Sequence, residues 1–213
     1  GFSPFEKGLF QVQDESSMLV GHALAPAPGS LVLDAASAPG GKATHLAQLM
    51  RDRGKVVAFD IHPHKIRLIE ENCRRLGITC VSPEAADARK MPGDYAGRAD
   101  YALLDAPCTG TGVIRRRPDA RWKKNPAQLP EILALQGEML ASVARCVKPG
   151  GVLVYSTCSV LAEENRGQVE AFLKNTGEYC LESLAELMPG SLAGEASVPE
   201  GFIQLYPHRH GPE

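Results

Sequence analysis

No apolar stretch in this sequence approaches the roughly 20 residues that a membrane-spanning helix needs, so a helical span is excluded. A secretory start is missing as well: no basic leader feeds an apolar run and a small-residue cleavage site. The chain opens on Gly1 without an initiator methionine, which reads as a fragment and leaves room for an upstream domain. None of the six cysteines forms a Cys-x-x-Cys pair, and neither His62 with His64 nor His208 with His210 has zinc-ligand spacing, so no metal site is expected. A disulfide framework does not suit a chain of this length with ordinary core material, which places the protein in a reducing cytoplasm. Positive charge is scarce too. A net charge of −2 excludes a uniformly basic nucleic-acid binder and confines any such contact to a local patch or another domain.

What is present is a core. The 213 residues are 44% hydrophobic and 23% charged, enough for one globular domain over 1–213, with 1–28 as a lead-in segment and helix. Apolar runs at 30–34, 55–60, 78–81, 100–105 and 151–156 read as strands. Helical stretches fall at about 42–50, 63–76, 126–146 and 162–174, the third ending near Pro149-Gly150-Gly151. Residues 8–17 read as extended, leading into a helix to about Leu24, and 201–207 look like a further strand whose pairing partner is missing. Strand-helix alternation with continuously apolar strands predicts a doubly wound, mostly parallel α/β sheet, with its ligand beyond the carboxyl ends of the strands.

The first predicted strand ends in Asp34 and runs into Ala35-Ala36-Ser37-Ala38-Pro39-Gly40-Gly41-Lys42. Glycines here allow close backbone approach to a ligand, and the helix start offers unpaired amides. Neither nucleotide fingerprint fits: a P-loop would need glycine at Ala36 and Ser or Thr at Ala43, and Gly-x-Gly-x-x-Gly is absent. Asp60 ends the second strand about 20 residues on, where a carboxylate accepts ribose hydroxyls. Asp87 follows the third strand and is placed to reach an adenine amino group. A nucleoside site without a pyrophosphate cradle suits S-adenosyl-L-methionine better than a dinucleotide. The alternative, that these aspartates are helix caps or turn formers, stays open for any one of them.

Two cysteines also fall at strand ends: Cys108 in Asp105-Ala106-Pro107-Cys108-Thr109-Gly110-Thr111-Gly112, and Cys158 in Tyr155-Ser156-Thr157-Cys158-Ser159. Cys73, Cys80, Cys146 and Cys180 are assigned to the core, the usual place of a free cysteine. A thiol beside a methyl donor has a chemical rationale. Carbon 5 of cytosine is a poor nucleophile, and a thiolate adding to carbon 6 pushes electron density onto it.

These motifs, in this order, resemble the Nol/Nop/Sun group of RNA cytosine-5 methyltransferases, and within it the bacterial branch acting on small-subunit 16S ribosomal RNA. The likeness takes in Val12-Gln13-Asp14-Glu15-Ser16-Ser17, the Ala38-Pro39-Gly40-Gly41-Lys42 turn, Asp105-Ala106-Pro107-Cys108, Gly110-Thr111-Gly112-Val113-Ile114-Arg115-Arg116, Pro118-Asp119, Arg121-Trp122, the Tyr155 to Val160 run, and Glu163-Glu164-Asn165. It implies a Rossmann-like methyltransferase fold. It implies Cys158 as the nucleophile and Cys108 as an aid to resolving the adduct. It further implies Asp105 and Lys42 at the reaction centre, and cofactor contacts from Ala36 through Lys42, Asp60, Asp87 and Asp105. The family pattern Cys-Ala-Ala-Pro-Gly-Gly-Lys is here Ala36-Ser37-Ala38-Pro39-Gly40-Gly41-Lys42, both replacements being small, and the family's final Asp-Gly-Phe-Phe strand is absent.

Arg115, Arg116, Arg117, Arg121, Lys123 and Lys124 concentrate positive charge after the Cys108 loop, with Trp122 among them. Such a segment suits RNA phosphates and a stacked base; the alternatives are a solvated turn and a tryptophan packed in the core. Cytosine must leave its stack for a thiol to reach carbon 6. Ribosomal RNA is the expected partner ahead of transfer RNA. Two competitors remain: a methyltransferase of another substrate class with structural cysteines, and a non-enzymatic RNA-binding assembly factor.

Overall fold

Successive side chains of a β-strand face opposite sides of its sheet, and in the central strands of this protein both sides are largely buried. The computed structural model describes residues 3–119, 122, 125–195, 197–206 and 209. Strands β1 (Leu31–Asp34), β2 (Lys55–Asp60), β3 (Val81–Ala85), β4 (Ala99–Asp105) and β5 (Val147–Ser156) form one parallel sheet in the order β3-β2-β1-β4-β5. The helices are α1 (Ser3–Glu6), α2 (Glu15–Leu24), α3 (Gly41–Leu49), α4 (Pro63–Leu76), α5 (Leu129–Ala144), α6 (Arg166–Asn175) and α7 (Gly190–Ala193). Leu33, Val57, Phe59 and Leu104 pack on one face with Met139, Leu140 and Val143 of α5. Val32, Val56, Ala58 and Leu103 pack on the other with Leu24, Leu46 and Ile69 of α2, α3 and α4. The doubly wound α/β fold expected from the sequence is the fold observed. Its strand order reverses between β1 and β4, so the crevice beyond those two ends is where ligands bind in open sheets. Among the described residues no helix is long and apolar enough to cross a membrane.

Several elements differ from expectation for physical reasons. The third strand lies at Val81–Ala85 rather than 78–81, because the Thr79 and Cys80 amides are taken by the Asp52 carboxylate at 2.8–3.0 Å. The long helix ends at Ala144, and β5 starts at Val147. Pro149, which lacks an N–H, sits in an irregular stretch: Ala99 pairs Val147, but the next pairing is Tyr101 with Val152. At its start, a 3-10 turn (Pro126–Gln128) precedes α5. The helix expected over 162–174 is a 3-10 turn (Ala162–Glu164) followed by α6, broken at Asn165, whose φ of −114° and ψ of −103° are not helical. Residues 201–206 form no regular strand, and Pro207 lies outside the described residues. The short helix α1 was not foreseen; it is tied to α4 by Arg75, which donates to Phe5 O at 3.1 Å and Phe10 O at 3.0 Å. Cys73 and Cys146 are buried and Cys80 partly so, but Cys180 is exposed, which corrects its assignment to the core.

Asp52 therefore fixes where β3 begins. Burial raises its proton affinity, but hydrogen bonds from Cys80 and Thr79 outweigh that, and its carboxyl is held below the ordinary 3.8. A depressed carboxyl stabilises the fold above its unfolded pKa, and that contribution disappears as pH falls through the folded value. Asp52→Ala should cost about 1–2 kcal/mol at neutral pH in urea unfolding, and the gap from the parent chain should narrow in acid. An unchanged gap at low pH would refute the assignment.

Candidate active site

The site begins where β1 ends. Asp34 is fully buried, and neither of its carboxylate oxygens has a hydrogen-bond partner among the described residues; the buried Ser37 hydroxyl is in the same position. Burial pushes the Asp34 pKa up to about 7, opposed by the neighbouring Ser37 hydroxyl and the Lys42 charge. Buried polar groups in native proteins almost always have partners, so this pair marks a place for a donor or a cation. The turn beyond it is pinned by Ala35 N to Leu103 O (2.9 Å), Ser37 N to Phe59 O (2.7 Å) and Gly40 N to Ser37 O (2.8 Å). Gly40 is obligatory twice over: its φ is +98°, and a Cβ would stand 3.2 Å from the Ile69 Cα. Gly41 differs, because a Cβ there would meet nothing within 4 Å. Open space thus faces the first residue of α3, where amides are unpaired.

The other predicted cofactor acids lie along the same edge with different company. Asp60, at the end of β2, accepts from His62 N through Oδ1 at 2.9 Å and is nearly buried. Asp87 caps the 3-10 turn Ala88–Lys90, accepting from Arg89 N at 2.9 Å, and both of its oxygens also take the Arg89 guanidinium. The side-chain bond from Arg89 is the main reason its pKa is lowered. Ala36, Ala38 and Pro39 complete the turn between Asp34 and Gly40.

Lys42 reaches across to β4, where its Nζ lies 2.7 Å from Asp105 Oδ2. The other Asp105 oxygen accepts from Ser156 Oγ of β5 at 2.8 Å. One carboxylate therefore ties the first turn of α3 to the ends of β4 and β5. Immediately beyond those ends, the Cys108 and Cys158 sulfurs lie 3.2 Å apart. Gly112 permits that approach: its N–H donates to Cys158 O at 2.9 Å, and a Cβ would crowd the same oxygen at 2.9 Å. Cys158 is exposed and Cys108 partly buried. The Cys108 thiol donating to its sulfur is the largest influence on Cys158; with help from Lys42 it outweighs burial and the Asp105 charge and brings the pKa down to about 7. Holding that shared proton, and burial, push Cys108 up.

The basic segment is placed only in part. Arg115 and Arg116 line an open groove of about 1210 Å³ that also takes in Lys42, Asp105 and Cys158. Arg116 pairs with Asp14, and Arg117 is exposed. Arg121, Lys123 and Lys124 lie outside the described residues. Trp122 is 82% exposed, so the core reading of that ring fails. The sequence reading counted Asp34 among the strand-end acids without giving it a contact, and gave no role to Glu164, which is fully buried and binds the Cys108 loop. Glu164 was quoted only as part of a motif, and nothing in an acidic doublet signals that one member is buried.

Comparison with known proteins adds a family. Residues 21–213 match the model described as 16S rRNA methyltransferase RsmB/F. The chain is 41% identical over 209 residues to the probable ribosomal RNA small subunit methyltransferase B of Bacillus subtilis, covering 97% of this chain and 46% of that relative. It thus spans about half the length of that curated relative. Among solved structures, PH0851 superposes with a TM-score of 0.90 at 41% identity, over 98% of this chain and 46% of that one. NSun6 from Pyrococcus horikoshii with SFG gives a TM-score of 0.81 at 34% identity, over 98% and 52%.

The thiol geometry makes a direct prediction. Iodoacetamide should label Cys158 ahead of Cys108, at a rate rising through pH about 7, and Cys108→Ala should move that midpoint up toward the ordinary thiol range. A midpoint indifferent to Cys108→Ala would remove the sulfur–sulfur contact as its cause.

Proposed function

Because this chain belongs to the RsmB/F family of 16S rRNA methyltransferases, we propose that it methylates carbon 5 of a cytosine in RNA, 16S ribosomal RNA foremost, through covalent addition of Cys158 to carbon 6. The observation that carries this reading is the pair of thiols 3.2 Å apart, delivered by two strand ends to the crevice beside the cofactor turn. A methyltransferase acting on a nitrogen or oxygen needs no such pair.

The residues fit S-adenosyl-L-methionine. Asp34 offers a buried carboxylate without a partner among the described residues, suited to a cationic or hydrogen-donating ligand, and the space in front of Gly41 is open. Ala36 to Lys42 would hold the group against the α3 amides and Asp60 would take the ribose hydroxyls. Asp87 reaches the adenine only in competition with Arg89. Bound there, the cofactor supplies an electrophilic methyl group.

The protein's own part is to raise the nucleophilicity of the target carbon. Cys158, a partial thiolate at neutral pH, adds to carbon 6 and drives electron density to carbon 5. Once carbon 5 carries the methyl group, its proton passes to a base, with solvent water the final acceptor, the C–H electron pair re-forms the carbon 5–carbon 6 double bond, and the carbon 6–sulfur bond breaks to release the Cys158 thiolate. Cys108, beside the same sulfur, aids that resolution. Asp105 keeps Lys42 and Ser156 fixed around the reacting centre. Arg115, Arg116 and Arg117, with Arg121 and Lys123, would contact phosphates. Two free thiols this close work only while reduced, which suits the cytoplasm.

With RNA and cofactor present, Cys108→Ala should accumulate a covalent protein–RNA adduct on denaturing gels, whereas Cys158→Ala should give none. Methylation surviving Cys158→Ala, with no adduct in either variant, would sink the mechanism. Calorimetry tests the cofactor separately: Asp60→Ala should weaken S-adenosyl-L-methionine binding by about 10- to 100-fold, the worth of charge-assisted hydrogen bonds. Unchanged affinity would take Asp60 out of the site.

A further inference from the structure

Glu164 is a charged side chain with no solvent exposure, an arrangement that persists only when every acceptor position is satisfied. Its Oε1 accepts from Thr109 N at 2.8 Å and Gln136 Nε2 at 3.1 Å, and its Oε2 accepts from Thr109 Oγ1. The same Gln136 amide donates to Pro107 O at 3.0 Å. Both neighbours of Cys108 are thereby held. The next residue does the same for the other cysteine. Asn165 accepts from Thr157 Oγ1 at 2.5 Å and donates to Ser159 O at 2.8 Å, so both neighbours of Cys158 are held. The Ser159 hydroxyl joins the two sides, 3.2 Å from Thr109 Oγ1 and 3.0 Å from Thr111 Oγ1. Tyr155 anchors the turn itself, donating to Glu164 O at 2.8 Å.

We infer that Glu164 and Asn165 are positioning residues that set the distance between the Cys108 and Cys158 sulfurs, and so the sharing of a proton between them. Neither touches the reacting atoms. Asn165 interrupts a helix at this point, and its amide spans the gap between the Cys158 loop and the turn. Asp105 at the end of β4 and Lys42 in the first turn of α3 are the charged groups that face Cys158, and neither contacts the clamp. The inference rests on reading Cys108 and Cys158 as the working pair, but its test uses no RNA, so the two can fail separately.

The readout is the pH profile of Cys158 alkylation by iodoacetamide, followed by peptide mass spectrometry to separate it from Cys180. Glu164→Gln places an amide N–H₂ among donors and should loosen the Cys108 loop. Labelling at pH 7 should then fall about fivefold, as a one-unit rise from a midpoint near 7 requires. In a Cys108→Ala background the same substitution should change nothing further, because the partner through which it acts is gone. Equal slowing in both backgrounds, or no slowing in either, would overturn the inference. Should Glu164→Gln not fold, Thr109→Val, which removes one hydroxyl from Glu164 and keeps the carboxylate, should raise the midpoint in the same direction by less. A natively folded Thr109→Val chain with the parent midpoint would also overturn it.

Discussion

A parallel sheet delivers every strand's carboxyl end to one edge, and where the strand order reverses two of those ends diverge and leave a crevice. In this protein the crevice opens between β1 and β4, and the chain has placed acids on both lips, Asp34 and Asp105. The rest of the site is a response to that concentration of negative charge. Lys42 comes from the neighbouring helix to neutralise Asp105 at 2.7 Å, and Ser156 satisfies its other oxygen. Asp34 gains only partial relief, from the neighbouring Ser37 hydroxyl and the Lys42 charge, and burial still pushes its pKa up to about 7. A buried carboxylate with so few donors is one that a group carrying a donor or a positive charge would stabilise.

The electrostatics of the two thiols follow from the same geometry. Cys158 would be a weaker acid beside Asp105 alone, because a nearby carboxylate opposes a thiolate. Proton donation from Cys108 reverses the sign, and Lys42 contributes from the cofactor side. Lys42 thus links two regions the sequence separates widely: it stands in the first turn of α3, and its charge lowers the pKa of Cys158 beyond the end of β5.

Much of this was legible in the sequence. Terminal acids after apolar runs gave the strand ends, the fold class followed from strand-helix alternation, and two small polar loops carrying cysteine had to meet at one edge. What was not legible depended on contacts distant in sequence. Asp52 moved β3 by capping residues 27 and 28 positions away. The 3.2 Å approach of the sulfurs depends on loops 50 residues apart. Glu164 follows the exposed Glu163 in an ordinary acidic pair, and only the tertiary structure distinguishes them. Asp87 is the instructive intermediate: Arg89, which the sequence reading did not consider, takes its carboxylate, and the residue caps a 3-10 turn, the alternative left open for it.

Two thiols at this distance also differ in acidity without any further device. A shared proton makes the acceptor sulfur more acidic and the donor sulfur less so, and their pKa values move apart. Pairs of titratable groups driven apart in this way are how enzymes assign one member to attack and the other to proton handling. Exposure points the same way, since Cys158 is open to the groove and Cys108 lies deeper. Held farther apart, the two thiols would lose the contact that is the largest influence on each. The split in acidity therefore depends on one distance, and the contacts that hold the two loops bear on it as much as the charges around the sulfurs do.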